Sequence, residues 1–114
     1  MGNGFQPQEG LEDQLQKVTD AIVQGYRPDR IILFGSAARG RFREGSDLDL
    51  LIIKETPEKP MERIREVVNY LPHTIDTDLL VLTPSEITAR RQEKNYFLEE
   101  ILHEGRILYE RGKA

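Results

Sequence analysis

Cysteine is absent from the 114-residue chain, which removes disulfides, thiolate metal sites and cysteine nucleophiles together. No apolar run is long enough to cross a bilayer, and no basic segment leads into an apolar stretch with a small-residue cleavage site. The expectation is a cytoplasmic protein with no membrane partner. Positive charge is also short: sixteen Lys and Arg stand against twenty Asp and Glu, a formal charge of −4. That is the wrong sign for a protein that grips a long nucleic-acid backbone, so no stable nucleic-acid binding is expected. A small polyanion such as a nucleotide triphosphate remains open, because arginines bunch locally at Arg39, Arg41 and Arg43 and at Arg90 and Arg91. Neither a Gly-x-x-x-x-Gly-Lys-[Ser/Thr] phosphate loop nor a Gly-x-Gly-x-x-Gly dinucleotide turn occurs. His73 and His103 each lack a second ligand at metal spacing and read as surface or satisfied histidines, while the four tyrosines, Tyr26, Tyr70, Tyr96 and Tyr109, read as packing residues.

What is present is one domain's worth of alternating elements. Residues 1–10 carry three glycines and only Phe5 to bury, so they read as a flexible lead-in to a domain over 11–114. Leu11, Leu15, Val18 and Ile22 make one stripe on a helix ending near Gly25. Arg30 to Phe34 is a β-branched and aromatic strand, and Gly35 to Gly40 is a strand-to-helix turn with Ser36 near the helix cap. Ser46 to Ile53 returns to strand composition, Met61 to Leu71 to helical spacing, and Ile75 to Leu82 to strand. Thr83, Pro84 and Glu86 form a capping-box helix start. The polar stretch Thr88 to Asn95 follows, then an apolar face at Phe97, Leu98, Ile101 and Leu102, a stop at Gly105 and a last short strand over Arg106 to Glu110. Strands separated by helices predict a small α/β layer structure. The link from the first strand to the second is too short to need a crossover; the link from the second to the third is long enough for one.

Two of the strands begin with carboxylates. Asp47 and Asp49, at i and i+2, project from one face of the second strand, and Asp76 and Asp78 repeat the alternation on the third. Alone, each is as readily a solvated strand end. Together they place oxygen ligands at one sheet edge, the donor type for Mg²⁺ completed by substrate phosphates. Gly35 and Ser36 supply a tight turn where a backbone can approach phosphate, and Arg39 adds a guanidinium fork on the same turn. Two ions clamping attacking and leaving oxygens would then serve an in-line phosphoryl or nucleotidyl transfer.

The string from Gly35 to Leu50, GSAARGRFREGSDLDL, resembles the Gly-Ser-x-Ala-Arg-Gly … Ser-Asp-hydrophobic-Asp signature of the DNA polymerase β nucleotidyltransferase superfamily, in its minimal nucleotidyltransferase branch. Residues Thr77 to Pro84 and Ile101 to Arg111 are similar to the same small proteins. The resemblance implies a small mixed β-sheet flanked by helices, Asp47, Asp49 and Asp78 as catalytic ligands of two Mg²⁺ ions, and Gly35, Ser36 and Arg39 on the triphosphate of ATP. Asp76 competes with Asp78 for the third carboxylate. Ala37 stands where many relatives carry Arg, which removes one phosphate-side contact. The implied activity is transfer of a nucleoside monophosphate, AMP from ATP, to a hydroxyl of a partner protein. The implied partner is a HEPN-type toxin, with the chain as its antitoxin, in a homo- or hetero-oligomer. The alternative is a catalytically weak or inactive nucleotide-binding module that neutralises its partner by forming a complex.

Overall fold

The computed structural model describes residues 10–41 and 47–112. Helix α1 (Leu11–Tyr26) carries the expected stripe of Leu15, Val18 and Ile22 into the core and extends it to Tyr26. Gly25 does not stop the helix. It makes a notch, because a Cβ there would lie 2.3 Å from the ring of Tyr70. The helix ends one residue later, where Arg27 turns left-handed at φ 55° and its N–H donates to the Ile22 carbonyl.

Strands β1 (Arg30–Phe34), β2 (Leu48–Ile53), β3 (Thr77–Leu82) and β4 (Arg106–Glu110) form one mixed sheet in the order β3-β2-β1-β4. The short link makes β1 and β2 antiparallel, whereas the crossover through α3 (Pro60–Val68) brings β3 in parallel to β2. Both central strands are buried on two faces. Ile31, Leu33, Leu48, Leu50 and Ile52 pack with Val18, Ile22 and Val67 of α1 and α3. Ile32, Leu51, Ile53 and Leu82 pack with Leu98 and Ile101 of α5 (Tyr96–Glu104) on the other face. Fully burying each such side chain contributes roughly 1.5–3 kcal/mol, so this double-sided core fixes the register of the sheet.

Helix α4 (Pro84–Gln92) has no buried residue, as its polar composition predicts; Ile87 packs partly buried on the second core, Arg91 pairs with Glu99 of α5 at 2.9 Å, and the N-terminus of α4 is tied down by a cap. Thr83 and Glu86 form the expected capping box. The sequence did not point to the partner of that box. Arg63, buried on α3, donates to the Val81 carbonyl at 3.1 Å and grips the Glu86 carboxylate with contacts of 2.7 and 3.2 Å. This bidentate fork ties α3, β3 and α4 together, and the Arg63 hydrogen bonds hold the Glu86 carboxyl below its usual range.

At the other end of the second layer, Gly105 follows α5 in an extended conformation. Close approach explains the residue better than backbone freedom does: a Cβ would stand 2.4 Å from the Ile101 carbonyl oxygen and 2.5 Å from Ile32. The absent side chain lets the chain pass from α5 into β4 directly over β1.

Candidate nucleotidyl-transfer site

Asp49 interrupts β2, whose other five residues are all buried. Registers place it opposite Phe34 of β1 on one side and opposite Asp78 of β3 on the other. Residues so paired share a face of the sheet, and neighbouring strands run about 4.8 Å apart, so the two carboxylates stand side by side. That face is the one covered by α5. Burial first, then the charges of Asp78 and Asp47, push the Asp49 carboxyl above the ordinary aspartate range.

Asp47 is exposed just before the start of β2. Asp76 lies just before β3, where its carbonyl accepts the Leu48 N–H at 3.0 Å. Of the two aspartates that the sequence left in competition, Asp78 is the one opposite Asp49, and both line a cleft of about 380 Å³. Among the described residues, no group of three or more carboxylate or imidazole side chains is gathered closely enough to cage a metal ion. A hard cation such as Mg²⁺ does not require one. It commonly takes one or two carboxylates and completes its shell with water and substrate phosphate, so the crowded oxygens of Asp49 and Asp78 fit that donor chemistry.

Gly35 lines the cleft immediately beside Asp49. Its φ of +73° is left-handed, and a Cβ at this position would sit 2.1 Å from Asp49 Oδ2 and 3.0 Å from its Cγ. The turn therefore needs glycine twice, once for the dihedral and once for the carboxylate beside it. Helix α2 (Gly35–Ala38) begins at this glycine with Phe34 as its cap residue, and no side chain caps it. The cap expected near Ser36 is displaced because the left-handed glycine makes the turn one residue earlier. Ser36 is exposed on that turn and does not line the cleft. Arg39, at the end of α2, does line it. Its guanidinium meets Glu100 at 3.3 Å and Glu104 at 3.7 Å. Arg43 and Ser46, part of the sequence motif, lie outside the described residues.

The remaining cleft wall is apolar and was not singled out as functional by sequence reasoning. Phe34 and Phe97 meet edge to face with centroids 5.8 Å apart, and Leu80 and Ile101 lie beside them. Each had read simply as core. The signal that separates them is topological: only knowing that the end of β1 lies beneath the first turn of α5 brings the two rings together. Tyr96, expected to pack, is instead 83% exposed at that same turn, where Leu98 takes the inward direction and Phe97 stays 57% exposed at the mouth of the cleft. His73 and His103 are exposed, as the sequence suggested.

Residues 16–114 match the family model described as polymerase beta, nucleotidyltransferase. The chain belongs to the polymerase β nucleotidyltransferase family. Two Methanocaldococcus jannaschii proteins, each named a putative protein adenylyltransferase, are similar to it. One is 37% identical over 79 residues, spanning 68% of this chain and 75% of the relative. The other is 29% identical over 100 residues, spanning 86% and 97%. A solved Sulfolobus solfataricus structure, described as a putative nucleotidyltransferase, superposes with a TM-score of 0.61 at 16% identity and covers 98% of this chain and 96% of that one. A chain from a toxin–antitoxin structure with AMP-PNP superposes with a TM-score of 0.58 at 17% identity, covering 86% and 74%. At those identities the structural matches establish the fold, and the family match establishes a nucleotidyltransferase domain. No helix among the described residues is long and apolar enough to cross a membrane.

Proposed function

We propose that this nucleotidyltransferase moves AMP from ATP onto a hydroxyl of a partner protein, in the cytoplasm and with Mg²⁺, and that the partner is a HEPN-type toxin which it restrains as an antitoxin. One observation carries the reading: Asp49 and Asp78 face each other across β2 and β3 in the cleft that Gly35 and Arg39 also line. Two relatives are named for protein adenylylation, and a chain of the same fold comes from a toxin–antitoxin structure. Both lend support to a protein acceptor.

In this reading Asp49 and Asp78, which line the cleft together, would hold the metal, with Asp47 adding charge from just before β2. When bound, Mg²⁺ polarises the phosphoryl oxygens and offsets the charge that develops in transfer. Gly35 lets the backbone come close to the β- and γ-phosphates, and Arg39 contributes a guanidinium from the end of α2, while Ser36, outside the cleft wall, would reach a phosphate only at its rim. Asp78 orients the acceptor hydroxyl and receives its proton as the oxygen bonds to the α-phosphorus. The bond from that phosphorus to the bridging oxygen breaks, and pyrophosphate leaves. The chain's own work is positioning and electrostatics, with no covalent intermediate.

The test is intact-mass spectrometry of the protein encoded beside this chain, after incubation with the full-length chain, ATP and Mg²⁺. The partner should gain the mass of one or more AMP groups. Asp49→Asn and Asp78→Asn should each slow that gain at least about a hundredfold while melting cooperatively. Transfer at the wild-type rate by either variant, or a partner neutralised without added mass, would overturn the assignment.

A further inference from the structure

Among the described residues, the cleft presents four carboxylates, Asp49, Asp78, Glu100 and Glu104, against the single guanidinium of Arg39. A triphosphate entering it brings still more negative charge. Glu100 and Glu104 stand one helical turn apart on α5, on one face, and both reach Arg39, at 3.3 and 3.7 Å. Helix α5 is itself held by the burial of Leu98 and Ile101 and by the tight passage at Gly105, so these carboxylates stand on a rigid element.

We propose that Glu100 and Glu104 set the affinity of the phosphate end of the site: they occupy Arg39 in the nucleotide-free protein, and phosphate must displace them from the guanidinium to bind. The proposal rests on the reading of Gly35 and Arg39 as the triphosphate end of the cleft. Arg39 cannot satisfy two α5 carboxylates and a phosphate with the same N–H donors. When its fork turns to phosphate, Glu100 and Glu104 lose their partner, and that loss lowers affinity for the nucleotide; their direct repulsion of the ligand is screened at such exposure. Because all three side chains are about half exposed, the pairs exchange readily and the penalty is modest. The consequence is a weaker grip on the phosphate end of the ligand than an unoccupied Arg39 would give.

The measurement is equilibrium titration of the full chain with ATP and with inorganic triphosphate, each with Mg²⁺. It compares wild type, Glu100→Gln/Glu104→Gln, Arg39→Ala and the triple variant. The Glu-to-Gln pair should tighten both ligands by roughly three- to tenfold, equally, because the gain lies at the phosphate end. Arg39→Ala should weaken both, and in its background the two Gln substitutions should change affinity little. Unchanged or weaker binding by the Gln pair would overturn the proposal and point to metal or structural roles for the carboxylates. Tightening that persists without Arg39 would also overturn it, as a field effect of removed charge. A wild-type chain that binds neither ligand removes the nucleotide reading itself; tight wild-type binding with unaltered variants removes only the Arg39 competition.

Discussion

Replacing Gly35 by alanine perturbs two things that the structure separates. At φ +73° an L-residue pays roughly 1–2 kcal/mol for the left-handed conformation. The new Cβ would also lie 2.1 Å from Asp49 Oδ2 and 3.0 Å from Cγ, an overlap of the kind that costs about 1–3 kcal/mol when a packed site must give way. The sum is about 2–5 kcal/mol, or a fall in Tm of roughly 8–20 °C at about 4 °C per kcal/mol for a domain of this size. Gly40 is the internal control. It is also left-handed, at φ +76°, but a Cβ there meets nothing within 4 Å, so Gly40→Ala should cost only the conformational part, roughly 1–2 kcal/mol. Urea unfolding of Gly35→Ala, Gly40→Ala, Asp49→Ala and the Gly35→Ala/Asp49→Ala double variant completes the comparison. Truncating Asp49 removes the overlapping oxygen, so the double variant should recover about 1–3 kcal/mol relative to additivity. Asp49 can also relieve the overlap by rotating its carboxylate away from the cleft, so Gly35→Ala should lose nucleotidyl transfer even where it stays folded. Equal costs at Gly35 and Gly40, with no coupling to Asp49, would refute the close approach on which this site is built.

Three further outcomes follow from the same structure. Asp49 has its carboxyl raised by burial, Asp78 and Asp47, so its ionised form burdens the native state above that raised pKa. Asp49→Asn should therefore melt higher than wild type at neutral pH. The advantage should shrink as pH falls through the raised value and vanish below the ordinary 3.8, where wild type is protonated in both states; a pH-independent difference would exclude carboxylate crowding as its cause. Glu86 has its carboxyl lowered by Arg63, so its contribution is complete above the ordinary 4.5 and is lost as pH falls through the lowered value. Glu86→Ala, which leaves the Arg63 guanidinium buried without its carboxylate, should cost about 1–3 kcal/mol in urea unfolding at neutral pH, and a loss below ~0.5 kcal/mol would show that α3 and α4 are tied by something else. Gly105→Ala should destabilise by about 1–3 kcal/mol through overlap with the Ile101 carbonyl and Ile32, and wild-type unfolding would show that α5 can shift off β1 without penalty.

The linear order of elements was legible because each carries its own signal. Leu15, Val18 and Ile22 repeat at helical spacing, Arg30 to Phe34 and Arg106 to Glu110 are short β-branched or aromatic runs, and Thr83 to Glu86 is a complete capping box. The motif from Gly35 to Leu50 likewise pointed to a nucleotidyltransferase through its resemblance to the family signature, whereas the close approach of left-handed Gly35 to Asp49 exists only once β1 and β2 have paired. What a one-dimensional string does not contain is register. Choosing Asp78 over Asp76 as the residue facing Asp49 depends on how β3 slides against β2, which the two buried faces of the sheet decide together. The same holds for Arg63 with Glu86, for Phe34 with Phe97, and for Arg39 with Glu100 and Glu104, pairs 23, and many more, residues apart. Local propensity, caps and turns act over a few residues and so survive in sequence; contacts between distant side chains exist only after burial of the core has set strands and helices against one another.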